Sequence, residues 1–143
     1  RTEEDLEAIR QGLADGTIDV IATDHAPHHR DEKNVEFNLA LNGIVGLETA
    51  LSLTLALVGK GILTLPQALA KLTSAPARVL SLPGGSLREG SAADIVIFDP
   101  QRKWTVDPQL FQSKSRNTPF AGRQLEGVVC RTLVGGRTVF RRL

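Results

Sequence analysis

The stretch Ile18-Asp19-Val20-Ile21-Ala22, followed by Thr23-Asp24-His25-Ala26-Pro27-His28, predicts the fold. Its first five residues form a short, largely apolar run, typical of a strand in a parallel sheet that is covered on both faces. All three histidines of the chain lie within five positions of Asp24, so groups that bind metal or move protons near neutral pH are concentrated here. An apolar strand that ends in Asp-His and runs into a loop indicates a β/α barrel, which presents reactive groups at the carboxyl ends of its strands.

Helix signals lie on both sides of this predicted strand. Thr2, with acidic residues at positions 3–5, predicts a capped helix that ends at Gly16. Residues 47–58 are apolar on nearly every face and predict a helix that is buried on most sides. Thr64-Leu65-Pro66-Gln67 predicts a second capping box. Since a helix followed by a strand is half of an α/β unit, this part of the chain is predicted to be α/β.

The sequence changes character at Pro83-Gly84-Gly85, where we place a domain boundary. After it come four short runs rich in apolar and β-branched residues, and Gly135-Gly136 between the last two predicts a hairpin turn. We therefore expect residues 1–82 to be the end of an α/β domain and residues 83–143 to be strands of a β domain. The four predicted strands are residues 95–98, 104–106, 128–134 and 137–140.

Composition narrows the class of protein. The chain has 143 residues, a formal net charge of +1, 41% hydrophobic and 23% charged residues, an ordinary globular balance. This weak charge argues against a nucleic-acid partner, and no apolar run is long enough to cross a membrane. The single cysteine, Cys130, excludes an internal disulfide and suits a cytoplasmic protein. Because the sequence contains no methionine and opens on a helix signal, we expect the C-terminal piece of a longer protein.

Asp24 has three interpretations: a helix cap or turn residue, a metal ligand, or a group that moves protons to and from a bound water. The neighbouring histidines and the strand-end position favour the two functional interpretations. A catalytic zinc site needs about three protein ligands, which one carboxylate does not supply. If a metal binds, we expect its other ligands upstream of residue 1. His29 adjoins a charged loop and is predicted to be solvated.

Four segments carry a resemblance to a known family. They are residues 22–28 with the downstream Glu32-Lys33, residues 43–49, residues 85–96, and residues 113–127, which include Asn117-Thr118-Pro119-Phe120. Together these segments resemble the dihydroorotases of the bacterial zinc type, within the amidohydrolase superfamily. The resemblance covers essentially the whole chain.

This resemblance implies both a fold and a reaction. It implies that residues 1–82 are the C-terminal portion of a TIM-like β/α barrel and that residues 83–143 are strands of the amidohydrolase β-sandwich. The implied reaction is the reversible cyclisation of N-carbamoyl-L-aspartate to dihydroorotate in pyrimidine (UMP) biosynthesis, with two zinc ions. The remaining zinc ligands would precede residue 1, so we expect the isolated chain to have no turnover.

The resemblance also implies roles for four residues. Asp24 matches a zinc ligand that is also the catalytic acid or base, and His28 matches a histidine that holds the substrate carboxylate. Asn42 and Gly43 match a pair whose main chain contacts the pyrimidine ring. His25 has only a supporting role. The implied partners are the small-molecule substrate, aspartate transcarbamoylase and further copies of the same chain.

Three alternatives stay open. One is a hydantoinase or allantoinase type of cyclic amidohydrolase, against which His28 favours a substrate that carries a carboxylate. Another is a non-catalytic dihydroorotase-like subunit that scaffolds aspartate transcarbamoylase, although such proteins typically lose metal ligands. The third is a β-rich assembly module attached to the remnant of a barrel.

Overall fold

The computed structural model describes residues 2–142. Within this range, helices occupy the first part of the chain, and a three-stranded antiparallel sheet in the order β1-β2-β3 occupies the second. The elements are α1 (Glu3–Asp15), α2 (Arg30–Lys33), α3 (Ala50–Gly59), α4 (Leu65–Leu72), α5 (Ser74–Val79), β1 (Ile95–Thr105), a 3-10 turn (Pro108–Leu110), β2 (Gln124–Val134) and β3 (Arg137–Arg141).

Both predicted capping boxes are confirmed. Thr2 Oγ1 accepts a hydrogen bond from the Asp5 N–H (3.2 Å), and the Asp5 carboxylate accepts one from the Thr2 N–H (2.8 Å). Thr64 and Gln67 make the same reciprocal pair at the start of α4. These bonds satisfy N–H groups that the first turn of a helix leaves free. Helix α1 ends at Gly16 in the left-handed conformation (φ 87°), as predicted.

The strand predicted at residues 18–22 is not observed as a β-strand. A β-strand is defined by hydrogen bonds to a neighbouring strand, and this segment pairs with no strand in the described part of the chain. Its Ile21 N–H instead donates to the Lys71 carbonyl (3.1 Å), and the Lys71 side chain donates to the Ile18 carbonyl. The apolar character of the segment still has its expected effect. Ile18 and Ile21 pack on a cluster formed by Leu13, Leu63 and Ala68.

Helix α3 begins at Ala50, because residues 47–49 form a turn and Thr49 makes no side-chain cap. Within the helix only Ala56 and Gly59 are exposed, so the predicted burial on most sides is confirmed. The buried Ser52 hydroxyl bridges to the sheet: it donates to the Gly127 carbonyl (2.8 Å) and accepts from Trp104 Nε1 (3.0 Å). Helix α3 is thereby joined to β1 and β2.

The sheet differs from the prediction at two main points, and one is that β2 begins at Gln124 and not at residue 128. The two runs predicted at residues 95–98 and 104–106 belong to one strand, β1, whose register with β2 is irregular between Asp99 and Lys103. The predicted hairpin at Gly135-Gly136 is confirmed, with φ angles of 54° and 77°. Positive φ at both central residues matches the type I′ turn, whose twist suits adjoining antiparallel strands.

A hydrophobic cluster joins the two parts of the chain. Val45, only 1% exposed, packs with Val106, Phe111 and Leu125 from the second part. Burial of an apolar side chain of this size contributes roughly 1.5–3 kcal/mol, so the turn that precedes α3 is firmly attached to the β-rich part. No helix among residues 2–142 has the length and apolar character needed to cross a bilayer.

Candidate active site

Three segments meet around the predicted site residues. We call them the Asp24 loop (residues 23–29), the Gly43 turn (residues 41–46) and the strap (residues 113–118). The first two precede the predicted domain boundary and the strap follows it. The Ala26 N–H donates to the Ile44 carbonyl (2.9 Å), and the Val45 N–H donates to the Asn117 carbonyl (3.1 Å). The structure therefore brings together the segments that carry the four predicted site residues.

Asp24 is exposed and has a positive φ of 44°. It does not cap a helix, because the N-cap of the next helix, α2, is His29. Positive φ is uncommon for a residue with a side chain, and such conformations persist where the surrounding structure determines them, often at functional sites. The backbone turn and the exposed carboxylate leave Asp24 available to a ligand or a proton.

His25 has a structural contact. The Gly46 N–H donates to His25 Nδ1 (3.1 Å), so this nitrogen is the acceptor and the ring proton of the neutral form lies on Nε2. A Cβ atom on Gly46 would lie 2.9 Å from Thr23 Cβ. This close approach of the Gly43 turn to the Asp24 loop therefore requires glycine at position 46, in keeping with the supporting role expected for His25.

His28 connects the Asp24 loop to the Gly43 turn. Its Nε2 lies 2.8 Å from the Asn42 carbonyl oxygen, and because a carbonyl only accepts, Nε2 donates. Its Nδ1 lies 3.8 Å from the Glu32 carboxylate. With Nε2 engaged, the nitrogen left to contact a ligand is Nδ1. His29 is exposed as predicted, and its Nδ1 accepts from the Asp31 N–H at the start of α2 (3.3 Å).

Asn42 and Gly43 are the residues of the Gly43 turn that approach the Asp24 loop most closely. Gly43 has φ 110°, and a Cβ atom there would lie 2.5 Å from Ala26 Cβ, so only glycine fits. The Gly43 carbonyl accepts from Lys33 Nζ and from Asn117 Nδ2, both at 3.2 Å. Since the Asn42 carbonyl is also occupied, a main-chain contact with a ligand falls to the N–H groups of these two residues. Neither N–H is bonded within residues 2–142.

The strap is the part of the site that sequence reasoning missed. Asn117 Nδ2 donates to the Ala26 carbonyl (2.9 Å) as well as to Gly43, and the Ser115 hydroxyl donates to the His28 carbonyl (2.7 Å). The strap lies within the segment that carries the family resemblance, which was the available signal. Its polar run Ser113-Lys114-Ser115-Arg116-Asn117 offered no indication of which earlier residues it would contact.

Glu48 anchors the start of the strap. Its Oε1 accepts a hydrogen bond from the Ser113 N–H (2.9 Å). Its Oε2 is buried and finds no hydrogen-bond partner within residues 2–142. Glu48 thus connects the turn before α3 to the first residue of the strap.

An open cleft of about 850 Å³ lies between the Asp24 loop, α2 and the strap. Four cationic side chains line it, and no acidic side chain of the described residues does. Asp31 and Glu32 belong to α2 but do not line the cleft. A cleft lined by charges of one sign attracts ions of the other sign, so it favours an anionic ligand. The lining cations are Arg30, Lys33, Lys114 and Arg116.

The described residues do not complete a metal site. Among residues 2–142 no three histidine, cysteine or acidic side chains are grouped closely enough to hold a metal ion. His25 Nδ1 and His28 Nε2 are already engaged by main-chain groups. A catalytic zinc site needs about three protein ligands, so the predicted role of Asp24 as a ligand would require about two more from elsewhere.

The chain belongs to the amidohydrolase family, whose family model matches residues 1–139. It is 66% identical over 141 residues to the dihydroorotase of Syntrophotalea carbinolica and 54% identical over 142 residues to that of Geobacter metallireducens. Each match covers 99% of this chain, but 33% and 34% of the respective relative. The chain thus spans about a third of the length of the curated relatives it matches.

Solved structures of the same superfamily show the same fold. The dihydropyrimidinase of Brevibacillus agri matches with a TM-score of 0.91 at 26% identity, over 99% of this chain and 32% of that one. The L-hydantoinase of Arthrobacter aurescens matches with a TM-score of 0.90 at 31% identity, over 99% and 33%. The predicted fold class, the C-terminal part of a β/α barrel followed by strands of the amidohydrolase β-sandwich, is confirmed. The division at residues 82 and 83 stays a prediction.

Proposed function

We propose that this chain is the C-terminal part of a dihydroorotase, which interconverts N-carbamoyl-L-aspartate and dihydroorotate in pyrimidine (UMP) biosynthesis. The observation that carries the proposal is the 66% identity to the dihydroorotase of Syntrophotalea carbinolica. That identity extends over 141 residues and so includes the Asp24 loop, the Gly43 turn and the strap.

In this proposal Asp24 moves the proton. Ring opening breaks the bond between the amide carbonyl carbon and the ring nitrogen, and water supplies a hydroxyl group to the carbon and a proton to the nitrogen. An ionised carboxylate accepts the proton from the attacking water and then donates it to the leaving nitrogen. The exposure of Asp24 supports this role, because the carboxylate is accessible to both water and substrate.

The other predicted residues would bind the substrate. Because His28 Nε2–H is engaged by the Asn42 carbonyl, Nδ1 would donate to a substrate carboxylate only when the ring is protonated. The N–H groups of Asn42 and Gly43 would donate to oxygens of the pyrimidine ring. The cationic cleft adjoins His28, although Asp24, Asn42 and Gly43 do not line it, and its charges suit a substrate whose open form carries two carboxylates. A neutral hydantoin would gain less from the same charges.

We also propose that the complete protein holds two zinc ions, with Asp24 as one ligand and the other ligands outside this chain. Bound zinc supplies an activated water and polarises the substrate carbonyl. The proposed partners are the small-molecule substrate and further copies of the chain. Binding to aspartate transcarbamoylase and a cytoplasmic location stay predictions.

Asp24→Asn in the full-length protein tests the role of Asp24. Because an amide does not accept the proton, we expect dihydroorotate hydrolysis to fall by roughly 10²- to 10⁴-fold. The matched control is Asp31→Asn, which removes the same charge from an exposed side chain on α2 and should leave turnover nearly unchanged. Full activity of the Asp24→Asn protein would refute the role assigned to this carboxylate.

Substrate assays separate the alternatives. Hydantoinases are a related family with the same fold, so the full-length protein should be assayed with dihydroorotate, hydantoin and allantoin. We expect turnover of dihydroorotate and little of the other two, and none from residues 1–143 alone. Absence of zinc together with co-purification of aspartate transcarbamoylase would instead support the non-catalytic subunit.

A further inference from the structure

We propose that Asn117 is a positioning residue for the reaction, through which the β-rich part of the chain fixes the Asp24 loop against the Gly43 turn. This inference rests on the proposed function, because the two segments carry the residues assigned to proton transfer and substrate binding. Asn117 itself has no assigned contact with the substrate. It would act through the backbone of Ala26 and Gly43.

The orientation of the Asn117 amide is determined by its partners. Nδ2 lies 2.9 Å from the Ala26 carbonyl and 3.2 Å from the Gly43 carbonyl, and both oxygens can only accept. The end of the amide that faces them must therefore be the NH₂ group, which has two hydrogens to donate. Residues with one donor or none cannot replace both bonds.

These two bonds join the parts of the site that must keep a fixed separation. Ala26 lies between Asp24 and His28, and Gly43 directly follows Asn42. A single amide group thus connects the backbone that carries the proton-transfer residue to the backbone that carries the ring contacts. Small changes in such a separation lower reaction rates strongly, because reacting groups need a defined geometry.

Neighbouring contacts of the strap hold Asn117 in place. Its own carbonyl accepts from the Val45 N–H (3.1 Å), and Val45 is almost completely buried. Two residues earlier, the Ser115 hydroxyl donates to the His28 carbonyl (2.7 Å). The strap therefore contacts the Asp24 loop at two carbonyls and the Gly43 turn at two residues.

The other end of the same amide makes no hydrogen bond to the described residues. Asn117 Oδ1 is buried and has no hydrogen-bond partner within residues 2–142. A buried acceptor without a partner is unfavourable, and such groups are rare in native structures. The NH₂ end therefore makes all the side-chain hydrogen bonds of Asn117 within the described residues.

The test compares Asn117→Asp with Ser52→Ala in the full-length protein. Aspartate has the shape of asparagine, but its ionised carboxylate cannot donate to the two carbonyls. Ser52→Ala is the matched control, because it also removes bonds between the two parts of the chain, to Gly127 and Trp104, away from the site. Asn117→Gln, which keeps the NH₂ group on a longer side chain, tests whether the donors are what matters.

We expect Asn117→Asp to lower kcat/KM for dihydroorotate by about 10- to 100-fold, mostly through a higher KM. Asn117→Gln should recover part of this loss. Ser52→Ala should lower Tm and leave kcat and KM within about twofold, since its bonds do not touch the site. If Asn117→Asp lowers Tm but leaves kcat and KM like those of Ser52→Ala, Asn117 is only structural and the proposal is wrong.

Amide hydrogen exchange gives a readout that does not depend on turnover. The Ala26 N–H is bonded to Ile44 and the Val45 N–H to Asn117. Both amide hydrogens should therefore exchange faster in Asn117→Asp, and their exchange rates should be unchanged in Ser52→Ala. Unchanged exchange in Asn117→Asp would overturn the proposed positioning. If the wild-type protein does not hydrolyse dihydroorotate, the proposed function fails, and the exchange data still decide whether Asn117 holds the two segments together.

Discussion

Gly43 occupies the closest approach between the Gly43 turn and the Asp24 loop. A side chain at this position meets two separate obstacles, the positive φ of 110° and the Ala26 methyl group 2.5 Å from where its Cβ would lie. Gly61 has only the first obstacle, since its φ is 70° and nothing lies within 4 Å of the position that a Cβ atom would take. Comparing substitutions at Gly43 and Gly61 therefore distinguishes the cost of backbone strain from the cost of steric overlap.

Gly43→Ala should lower the free energy of unfolding by about 3 kcal/mol, the sum of left-handed strain and overlap with Ala26. Gly61→Ala should cost only about 1 kcal/mol, because its new methyl group enters open space. Urea denaturation of the two variants measures the difference. Equal losses would mean that the Gly43 turn moves away from the Asp24 loop at little cost.

At the same scale, sequence reasoning found some site residues and missed others for a physical reason. Asp24 and His28 lie in one short stretch, so their chemistry is visible without a fold. Asn117 is 91 positions from Ala26, and nothing local indicates that its amide reaches back to that carbonyl. The occupied Nε2 of His28 was equally hidden, because its partner is a backbone oxygen 14 positions away.

Among the elements, α1 was the most predictable from its sequence. Its capping box, its acidic first turn and its terminal glycine are all local signals, and all three are confirmed. Hydrogen bonds from Thr2 hold the pKa of the exposed Asp5 carboxyl below its ordinary value of 3.8. A hydrogen bond from the Thr17 N–H similarly lowers the pKa of Asp15 at the other end of the helix.

These lowered pKa values predict that α1 becomes less stable in acid. A carboxyl with a lower pKa in the folded state contributes stability above its unfolded pKa and loses it as the pH falls through the folded value. The loss should therefore begin below about pH 4. Far-UV circular dichroism between pH 5 and pH 2 measures it, and Asp5→Asn should be less sensitive to acid over this range. The same pH profile for both proteins would contradict the prediction.

The segment at residues 18–22 shows where an element depends on more than its own sequence. Its apolar pattern is strand-like, but a strand also needs a hydrogen-bonding neighbour, which the described residues do not offer. The hairpin of β2 and β3 was predictable, because its two strands adjoin in sequence and Gly135-Gly136 supplies the turn.

At the scale of the whole molecule, the two parts of the chain share one cleft. Arg30 comes from the helical part and Lys114 from the strap, and both line the cleft. With a net charge of only +1, the chain concentrates cations at this place without being basic overall. Such a local field raises the rate at which anions arrive, more strongly at low salt.

The double variant Arg30→Gln with Lys114→Gln should lower kcat/KM for dihydroorotate about 3- to 10-fold at low ionic strength in the full-length protein. The deficit should shrink as salt is added, because salt screens exposed charges. The control pair Arg88→Gln with Arg102→Gln removes equal charge from exposed positions outside the cleft and should have little effect. A deficit that is the same at every salt concentration would exclude steering.

The sequence by itself determined the local features of this protein. Helix caps, the hairpin turn and the grouping of Asp24 with the histidines follow from interactions within a few residues, so they are visible without a fold. Only the tertiary structure decided how the Asp24 loop, the Gly43 turn and the strap meet. That arrangement depends on the burial of Val45 against the β-rich part and on Asn117, contacts between residues far apart in the chain. Their pairing is determined by packing and hydrogen bonding in the folded chain, which no local pattern encodes.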